Sequence, residues 1–555
     1  MSMELRMLLA IVMSFVVFFV FQSIFGTPQT KQPPKPVPPQ ETDAPTSPKT
    51  ESPVQPLSEA PALKQESTTE PLGSDRTITV DTALYVAELS EQSGCFTSFK
   101  LKKYKEELGA DAAPKELVSL PTQAGCTPVV HLLQEGETPI GHVEGFQSSF
   151  SETRLDVSAI GKTLTFRRTA PDGVAITKTY RFDPQSYEIA LQVEVANRTS
   201  GYIEDKLAVS LKNVKNKSDN SRYVFAGPAA LINGELLEID VDDIEDEPQH
   251  AGTIHWVANE EPYFVSAVVP EKTGESTLQL SLSDGNVLTT SYLDPSDPLP
   301  PRTARTLNYT LYFGPKSVDT LSQVGPALAR IVDFGFFDII AKPLLYAMKF
   351  IYRYIPNYGV AIIIITFIVK LIFWPLSNRS YKSMSQMKRL QPKMAEIRAK
   401  YKDDKRMMNQ ELMNLYKIYK VNPLGGCLPM VLQIPVFFAF YKMLYQAIEL
   451  RHAPFFWWIN DLSAPDRLLR FDVQIPLMAP PYGIPVLTVI MGASMFLQQK
   501  MSPPPGDPTQ AKMMMFMPIF FTFIFINFPS GLVLYWLVNN VLSMAQQYYI
   551  TKKTA

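Results

Sequence analysis

The sequence predicts a polytopic α-helical membrane protein, six transmembrane helices in all, carrying a large antiparallel β-sandwich domain outside the bilayer. Three observations predict it. Uncharged apolar runs long enough to cross ~30 Å of hydrocarbon occur near the N-terminus and repeatedly in the C-terminal third. Between them lies a region of short alternating stretches rich in Val, Thr, Tyr and Phe, the pattern of half-buried strands. Finally, the segment 378–422 holds 12 Lys or Arg against four acidic residues, the asymmetry that orients a chain in a membrane. Bulk composition adds exclusions: 52 basic against 54 acidic residues rule out a polycation built to coat nucleic acid. Three cysteines with no C-x-x-C pair rule out a disulfide-built scaffold, although Cys95 and Cys126 can pair if they lie outside the cytoplasm.

The N-terminal anchor occupies 1–26. Met7 to Phe21 carries no charge and the apolar character continues to Phe25, about 20 residues, enough for one crossing. A cleaved signal peptide is the rival reading. The following QSIFGTPQT offers no A-x-A-like site and the n-region is only Glu4 and Arg6, so an uncleaved anchor is expected. Residues 27–75 hold 12 of the 47 prolines and no aromatic residue or isoleucine; such a segment cannot bury enough surface to offset its ordering entropy and reads as a disordered tether.

From 76 to 325 the texture is that of sheet. TITVDTALYVAEL (77–89), KTLTFRRT (162–169), VAITKTYRF (174–182) and YEIALQVEVANR (187–198) alternate in polarity, and Asp172-Gly173 sits between two of them as a hairpin turn. One soluble β-sandwich is expected. Its histidines, His131, His142, His250 and His255, lack metal-ligand spacing, and the acidic run Asp240 to Glu247 reads as an exposed loop; no metal or cofactor is expected. Residues 326–357 include FGFFDIIAKPLLYAMKFIYR (334–353), whose interspersed Lys342, Lys349 and Arg353 suit an amphipathic helix lying at the outer interface.

Five further spans follow, at 358–377, 423–445, 483–500, 512–528 and 529–549. The last two come from an uncharged stretch, Met513 to Thr551, that is too long for one crossing and is split by Pro529-Ser530-Gly531. The positive-inside rule puts the 378–422 segment, the 501–511 loop and the 550–555 tail in the cytoplasm, and the β-domain with the 446–482 loop across the membrane. Both termini then face the cytoplasm.

The basic segment has an architecture of its own. Met384, Met387, Gln391, Met394 and Ile397 mark one helical stripe, Met408, Leu412, Leu415 and Tyr419 another, with a turn at Lys400 to Lys405. Two readings of this antiparallel hairpin stand open: methionines that simply pack together, with the charges solvated or near anionic lipid, or an adaptable docking surface for apolar segments or RNA-containing machinery, offered by Met384, Met387 and Met394 with the basic Lys388, Arg389 and Arg398.

The residue that carries chemistry is Lys370, about 10 Å inside the cytoplasmic boundary of its span at 1.5 Å per residue. No acidic residue occurs in the other spans, and an uncompensated charge in hydrocarbon costs at least ~2.5 kcal/mol, so the lysine must snorkel or sit in a wet environment. Thr366 one turn earlier, Gln433, Gln498, Gln499, Asn539, Asn540, Gln546 and Gln547 favour the second, since lipid satisfies none of these groups. A hydrated cavity open to the cytoplasm is expected. Prolines 429, 435 and 518 invite bending, and KMMMFMPIFFTFIFINF is either lipid-facing filler or a surface for a guest helix.

NPLGGCLPMVLQIPVF (422–437), LQPKM (390–394), QKMSP (499–503) and FPSGLVLYWLVNN (528–540), in this order, resemble the YidC-type membrane protein insertases over nearly the whole chain. The resemblance implies a five-helix core around a hydrophilic groove open to cytoplasm and lipid, a periplasmic β-supersandwich, a location in the bacterial inner membrane, and no enzymatic activity. It implies nascent membrane proteins, the ribosome, Sec translocon components and the lipid bilayer as partners, with no specific nucleic acid beyond ribosomal RNA. Lys370 falls where the family has a groove-lining basic residue, often arginine; lysine keeps the charge but not the bidentate fork. Thr366, Phe437, Tyr535 and Trp536 fall on positions facing groove or substrate, Trp536 standing where tyrosine is common. The expected function is insertion and folding of inner-membrane proteins, with or without the Sec translocon. A secondary transporter using Lys370 as a proton or substrate site is the alternative, and it predicts internal repeats that the spans do not display.

Overall fold

Alternation becomes sheet because a residue every second position finds a facing sheet to pack against. The computed structural model describes 76–555 apart from 110, 122–123, 134–142, 215–223, 284–285, 296, 420, 422–427, 502–507 and 555, together with Gln55 and Pro56. The anchor at 1–26 and the tether at 27–75 therefore lie outside the described residues, except that Gln55–Pro56 pair antiparallel with Ala304 and Thr303.

Among the described residues, fourteen strands form one sheet. Its central path runs from Val129–Leu133 through Lys206–Val214, Val287–Leu293, Glu275–Leu282, Gln249–Glu260, Phe264–Pro270, Thr303–Pro315, Glu188–Asn197, Val174–Phe182 and Lys162–Thr169 to Gln147–Ser148. A second sheet of five orders Pro114–Ser119, Cys95–Lys105, Tyr85–Ser90, Thr77–Asp81 and Arg154–Asp156, the last pair parallel. Aromatic rings join the two: Phe96 of the small sheet lies 5.6 Å from Tyr180 and 5.4 Å from Phe313 of the large one, and Phe99 stacks on Phe313 at 5.1 Å. The stretch 77–89 is a hairpin rather than one strand, because the Thr82 hydroxyl accepts from the backbone N–H groups of Leu84 and Tyr85 and turns the chain.

Two buried lysines and a disulfide fix the strand ends. Cys95 and Cys126 are joined, with Cα atoms 5.6 Å apart. Lys178 donates to the Ser93 carbonyl at 2.6 Å and lies 3.9 Å from the centre of the Phe146 ring, while Lys212 donates to the Ala124 carbonyl at 3.0 Å. Each cysteine arm is thus held by an ammonium bonded to the carbonyl two residues before it.

Among the described residues, α-helices follow in the order α1 (Val318–Val324), α2 (Asp338–Tyr354), α3 (Tyr358–Lys400), α4 (Lys405–Ile418), α5 (Leu428–Gln446), α6 (Val486–Met501), α7 (Pro508–Phe525) and α8 (Ser530–Thr554). The α2 helix buries Ala341, Leu345 and Met348 and leaves Ile339, Tyr346, Phe350 and Tyr354 exposed. The α3 helix runs unbroken for 43 residues, about 65 Å at 1.5 Å per residue, so the boundary drawn at 377/378 is no break in structure. Its length is more than twice the ~30 Å of a hydrocarbon core, so no more than about half of it could be spent on one crossing. By length and composition α3 is the one helix among the described residues that qualifies as a crossing; Met514–Phe525 is a shorter apolar helix. The α6 helix has only 16 residues, and α8 carries four amide residues among its 25.

The basic hairpin is present, with α3 ending at Lys400 and α4 starting at Lys405 under an Asp404 cap. Its core is Leu390, Met394, Leu412, Leu415 and Val421, with Met387, Ile397, Met408 and Tyr416 packed around it. Tyr416 occupies the place expected of Tyr419, which is exposed and instead faces Lys393, its ring 4.6 Å from the ammonium. Helical steps of three and four are both available along α4, and the antiparallel partner selects one.

Candidate functional site: a buried polar seam and an aromatic cluster

A lysine in an apolar helix must spend its charge somewhere, and Lys370 spends part of it on a neighbouring helix. Its Nζ donates to Ser543 Oγ of α8 at 2.8 Å, and that hydroxyl in turn donates to the Asn539 carbonyl at 2.6 Å. Lys370 is only 7% exposed: where the sequence expects a hydrated cavity, the close packing of α3 on α8 brings a hydroxyl to the ammonium. Among the described residues it makes no ion pair, and one of its three donors is engaged. Thr366, one turn earlier, is buried and its hydroxyl donates back to the Ile362 carbonyl at 2.6 Å, a bond within its own helix.

Above and below Ser543 the polar groups continue along α8. Gln546 donates to Asn378 Oδ1 at 3.2 Å and Gln547 to the Met501 carbonyl at 2.9 Å, while Asn540 donates to Ser494 Oγ at 3.1 Å. Of the amides that the sequence expects around a cavity, Asn540, Gln546 and Gln547 therefore lie inside the α3–α8 and α6–α8 seams. Ser543, Ser494 and Asn378 are not among the sequence's candidates, yet Ser543 stands on the four-residue steps that carry Asn539 and Gln547, a period visible in the sequence.

The other half of α8 is aromatic. Trp536 meets Phe437 of α5 edge-on at 4.7 Å and Phe525 of α7 at 5.0 Å, and Tyr535 stacks on Phe440 at 4.6 Å and lies 6.4 Å from Phe437. Phe437, Tyr535 and Trp536 are thus brought together, with Gln433 half-buried one turn before Phe437. Lys370 and Thr366 belong to the polar half instead.

The end of the bundle at the start of α8 is closed by residues that the sequence does not mark as site candidates. Asp466 accepts from Trp458 Nε1 at 2.6 Å and from the N–H groups of Leu487 and Thr488, capping α6. Arg467 donates to the carbonyls of Pro481 and Ile526, each at 2.8 Å, and to Asn527 Oδ1 at 3.3 Å, tying the loop to the α7–α8 turn. Ser530 and Gly531 at the start of α8 bond to the carbonyls of Ala464 and Leu462. The polar seam therefore lies toward the end of α8 opposite this closure.

Comparison with known proteins places this arrangement. Residues 77–347 match the family described as YidC periplasmic domain, and residues 350–555 the family described as 60Kd inner membrane protein. A protein from Syntrophus aciditrophicus named membrane protein insertase YidC is 40% identical over 99% of this chain and all of its own length. The chain belongs to the YidC family. A second YidC, from a Geobacter species, is 43% identical over 86% of this chain and 85% of its own. A crystal structure of an active YidC insertase, 20% identical, covers 86% of this chain and 93% of its own with a TM-score of 0.38. Membership in the YidC family leaves the secondary-transporter alternative without support.

The hairpin residues of this YidC-family chain divide. Met394 is 5% exposed inside the hairpin core and Met387 packs against it, which gives them the packing role and takes them from a docking surface. Met384 and Arg398 are half-buried, Lys388 and Arg389 exposed. The exposed methionines are Met407 and Met413 on α4, neither of them singled out in the sequence.

Proposed function

We propose that this chain is a membrane protein insertase of the bacterial inner membrane, with α3 and α5–α8 crossing the bilayer alongside the N-terminal anchor as a sixth span. The termini and the α3–α4 hairpin face the cytoplasm and the β-domain faces the periplasm. The observation that carries the mechanistic part is the Lys370–Ser543 contact, an ammonium with donors to spare held between two apolar helices on the cytoplasmic side of the closure at Asp466 and Arg467. A client's polar or acidic tail competes with Ser543 for that ammonium as α3 and α8 part, and the desolvation barrier to its passage falls. The client's apolar segment passes Phe437 and Trp536 toward lipid, drawn by partitioning at a few tenths of a kcal/mol per central Leu or Phe. Membrane potential favours outward movement of a negative tail. Ribosomes and Sec components are the partners expected to deliver and share clients, the exposed Lys388 and Arg389 offering the charge that ribosomal RNA attracts.

Complementation of a depleted strain, scored by insertion of a small two-span client with an acidic tail, tests the reading. Lys370→Arg is expected to retain insertion and Lys370→Glu to lose most of it. Insertion indifferent to the charge at 370 removes the electrostatic step.

A further inference from the structure

The loop between α5 and α6, 446–482, carries apolar side chains in a position that water does not reward. Trp457 is 88% exposed, Leu477 78% and Leu469 69%, with Phe456 and Val473 also exposed. These first three are also the residues of the loop, with His452, whose backbone is left-handed: φ is +56° at Trp457, +67° at Leu477 and +50° at Leu469. That conformation sets Cβ against the following carbonyl and is disfavoured for every residue but glycine, tryptophan and leucine included. In water the chain would carry backbone strain at the very places where it also exposes its largest apolar groups. Strain of this kind persists only where surrounding structure holds it, and the loop is held: Asp466 and Arg467 bond it to α6 and to the α7–α8 turn, and Asn527 donates to the Leu477 carbonyl at 2.8 Å.

We propose that these side chains form a rigid lipid anchor, seated in the headgroup and upper acyl region of the outer leaflet. The occupant is lipid because the loop joins the outer ends of two bundle helices, and because α2, on the same side of the bundle, already exposes Ile339, Phe350 and Tyr354. Tryptophan belongs at that depth, where its ring is apolar and its indole N–H can meet headgroups, and the exposed Arg470 beside Leu469 suits a phosphate. Together with α2 the loop would grip the outer leaflet through two separate elements and keep the closure at Asp466 and Arg467 from sinking or tilting as clients pass. This inference rests on the reading that the bundle crosses the bilayer.

Full-length protein in lipid vesicles, with Cys427 replaced by serine, would be spin-labelled singly at Trp457→Cys, Leu469→Cys and Leu477→Cys. Collision with oxygen and with a water-soluble nickel chelate would then be measured. Ile368→Cys on α3 reports the bilayer interior, and Glu204→Cys on the β-domain reports water. The expected oxygen-to-chelate ratio at all three loop positions is several-fold above that at 204 and below that at 368. Ratios at the loop equal to the aqueous control, with 368 buried in lipid, overturn the anchor while leaving the bundle in the membrane. Protection from both reagents also overturns it, since a protein then covers the loop. An aqueous ratio at 368 refutes the crossing itself. Quenching by brominated lipid in the unlabelled protein gives an independent reading: it should fall on Trp457→Phe, and no change counts against the anchor.

Discussion

At the scale of single residues, buried cations define this molecule twice. Lys370 finds a hydroxyl in the helical bundle, and Lys178 finds the Ser93 carbonyl in the β-domain. No sequence period predicts Lys178's fate; it stands at an inward position of an alternating strand where an apolar residue would be ordinary. Burial pushes its ammonium down to about 7, and burial likewise holds the His131 imidazole down at about 4. In the unfolded chain both groups bind protons more readily: the unfolded state carries the excess proton of Lys178 between about pH 7 and the ordinary lysine range, and that of His131 between about pH 4 and the ordinary histidine range. Stability at Lys178 must therefore rise with pH across that window and lie at its lowest plateau below it. Lys178→Met removes the titration. The difference in thermal midpoint between the variant and the parent should favour the variant most at pH 7 and below, and shift toward the parent by a few kcal/mol equivalent as pH approaches 10. A difference constant over that range would mean that Lys178 is not held neutral. Because the variant also orphans the Ser93 carbonyl, at about 1–3 kcal/mol, the pH dependence and not the sign at one pH is the measurement.

Between elements, the decisive contacts are close approaches that require missing side chains. Gly492 on α6 faces Thr522 on α7 so tightly that an added Cβ would lie 2.0 Å from the Thr522 hydroxyl, which itself donates to the Pro518 carbonyl at 2.7 Å. Gly492→Val must push the helices apart, at a cost of roughly 1–3 kcal/mol from overpacking. Resistance of the bundle to detergent unfolding should fall accordingly, and Thr522→Ala in the same chain should restore part of it. Equal loss in single and double variants would show that α6 and α7 do not meet there. The α3–α8 pair is the complementary case, where polar residues rather than small ones set the contact, and it is the pair that must part if Lys370 is to meet a client.

Over the whole molecule, the β-domain is fastened to the bundle by a few charged groups. Arg451 of the 446–482 loop donates to the carbonyls of Lys105 and Glu106 at 2.6 and 3.0 Å, its guanidinium 5.3 Å from the centre of the Phe264 ring. On α2, Lys349 pairs with Asp319 at 2.5 Å and Glu449 at 3.2 Å. Joint substitution of Arg451→Ala and Lys349→Met should raise hydrogen exchange around the Lys105 turn and α1 while strands at the centre of the large sheet keep their protection. Unchanged exchange at those two places would mean that apolar packing alone holds the junction.

The residues themselves determined a good deal about this protein. Alternation marked strands such as Lys162–Thr169 and Val174–Phe182 to the residue, uncharged runs marked the helices of the C-terminal third, and Pro529 marked the break before α8. These are local signals: each depends on neighbours within a turn or a strand, and the hydrophobic effect reads them in place. Tertiary structure alone decided the rest. Lys370 meets Ser543 across 173 positions, Met394 turns into the hairpin core because α4 lies against it, and Arg467 reaches Ile526 from 59 positions away. A charged or polar group says in sequence only that it must be satisfied; which distant partner satisfies it, and whether that leaves it facing water or sealed in a seam, depends on how the helices pack.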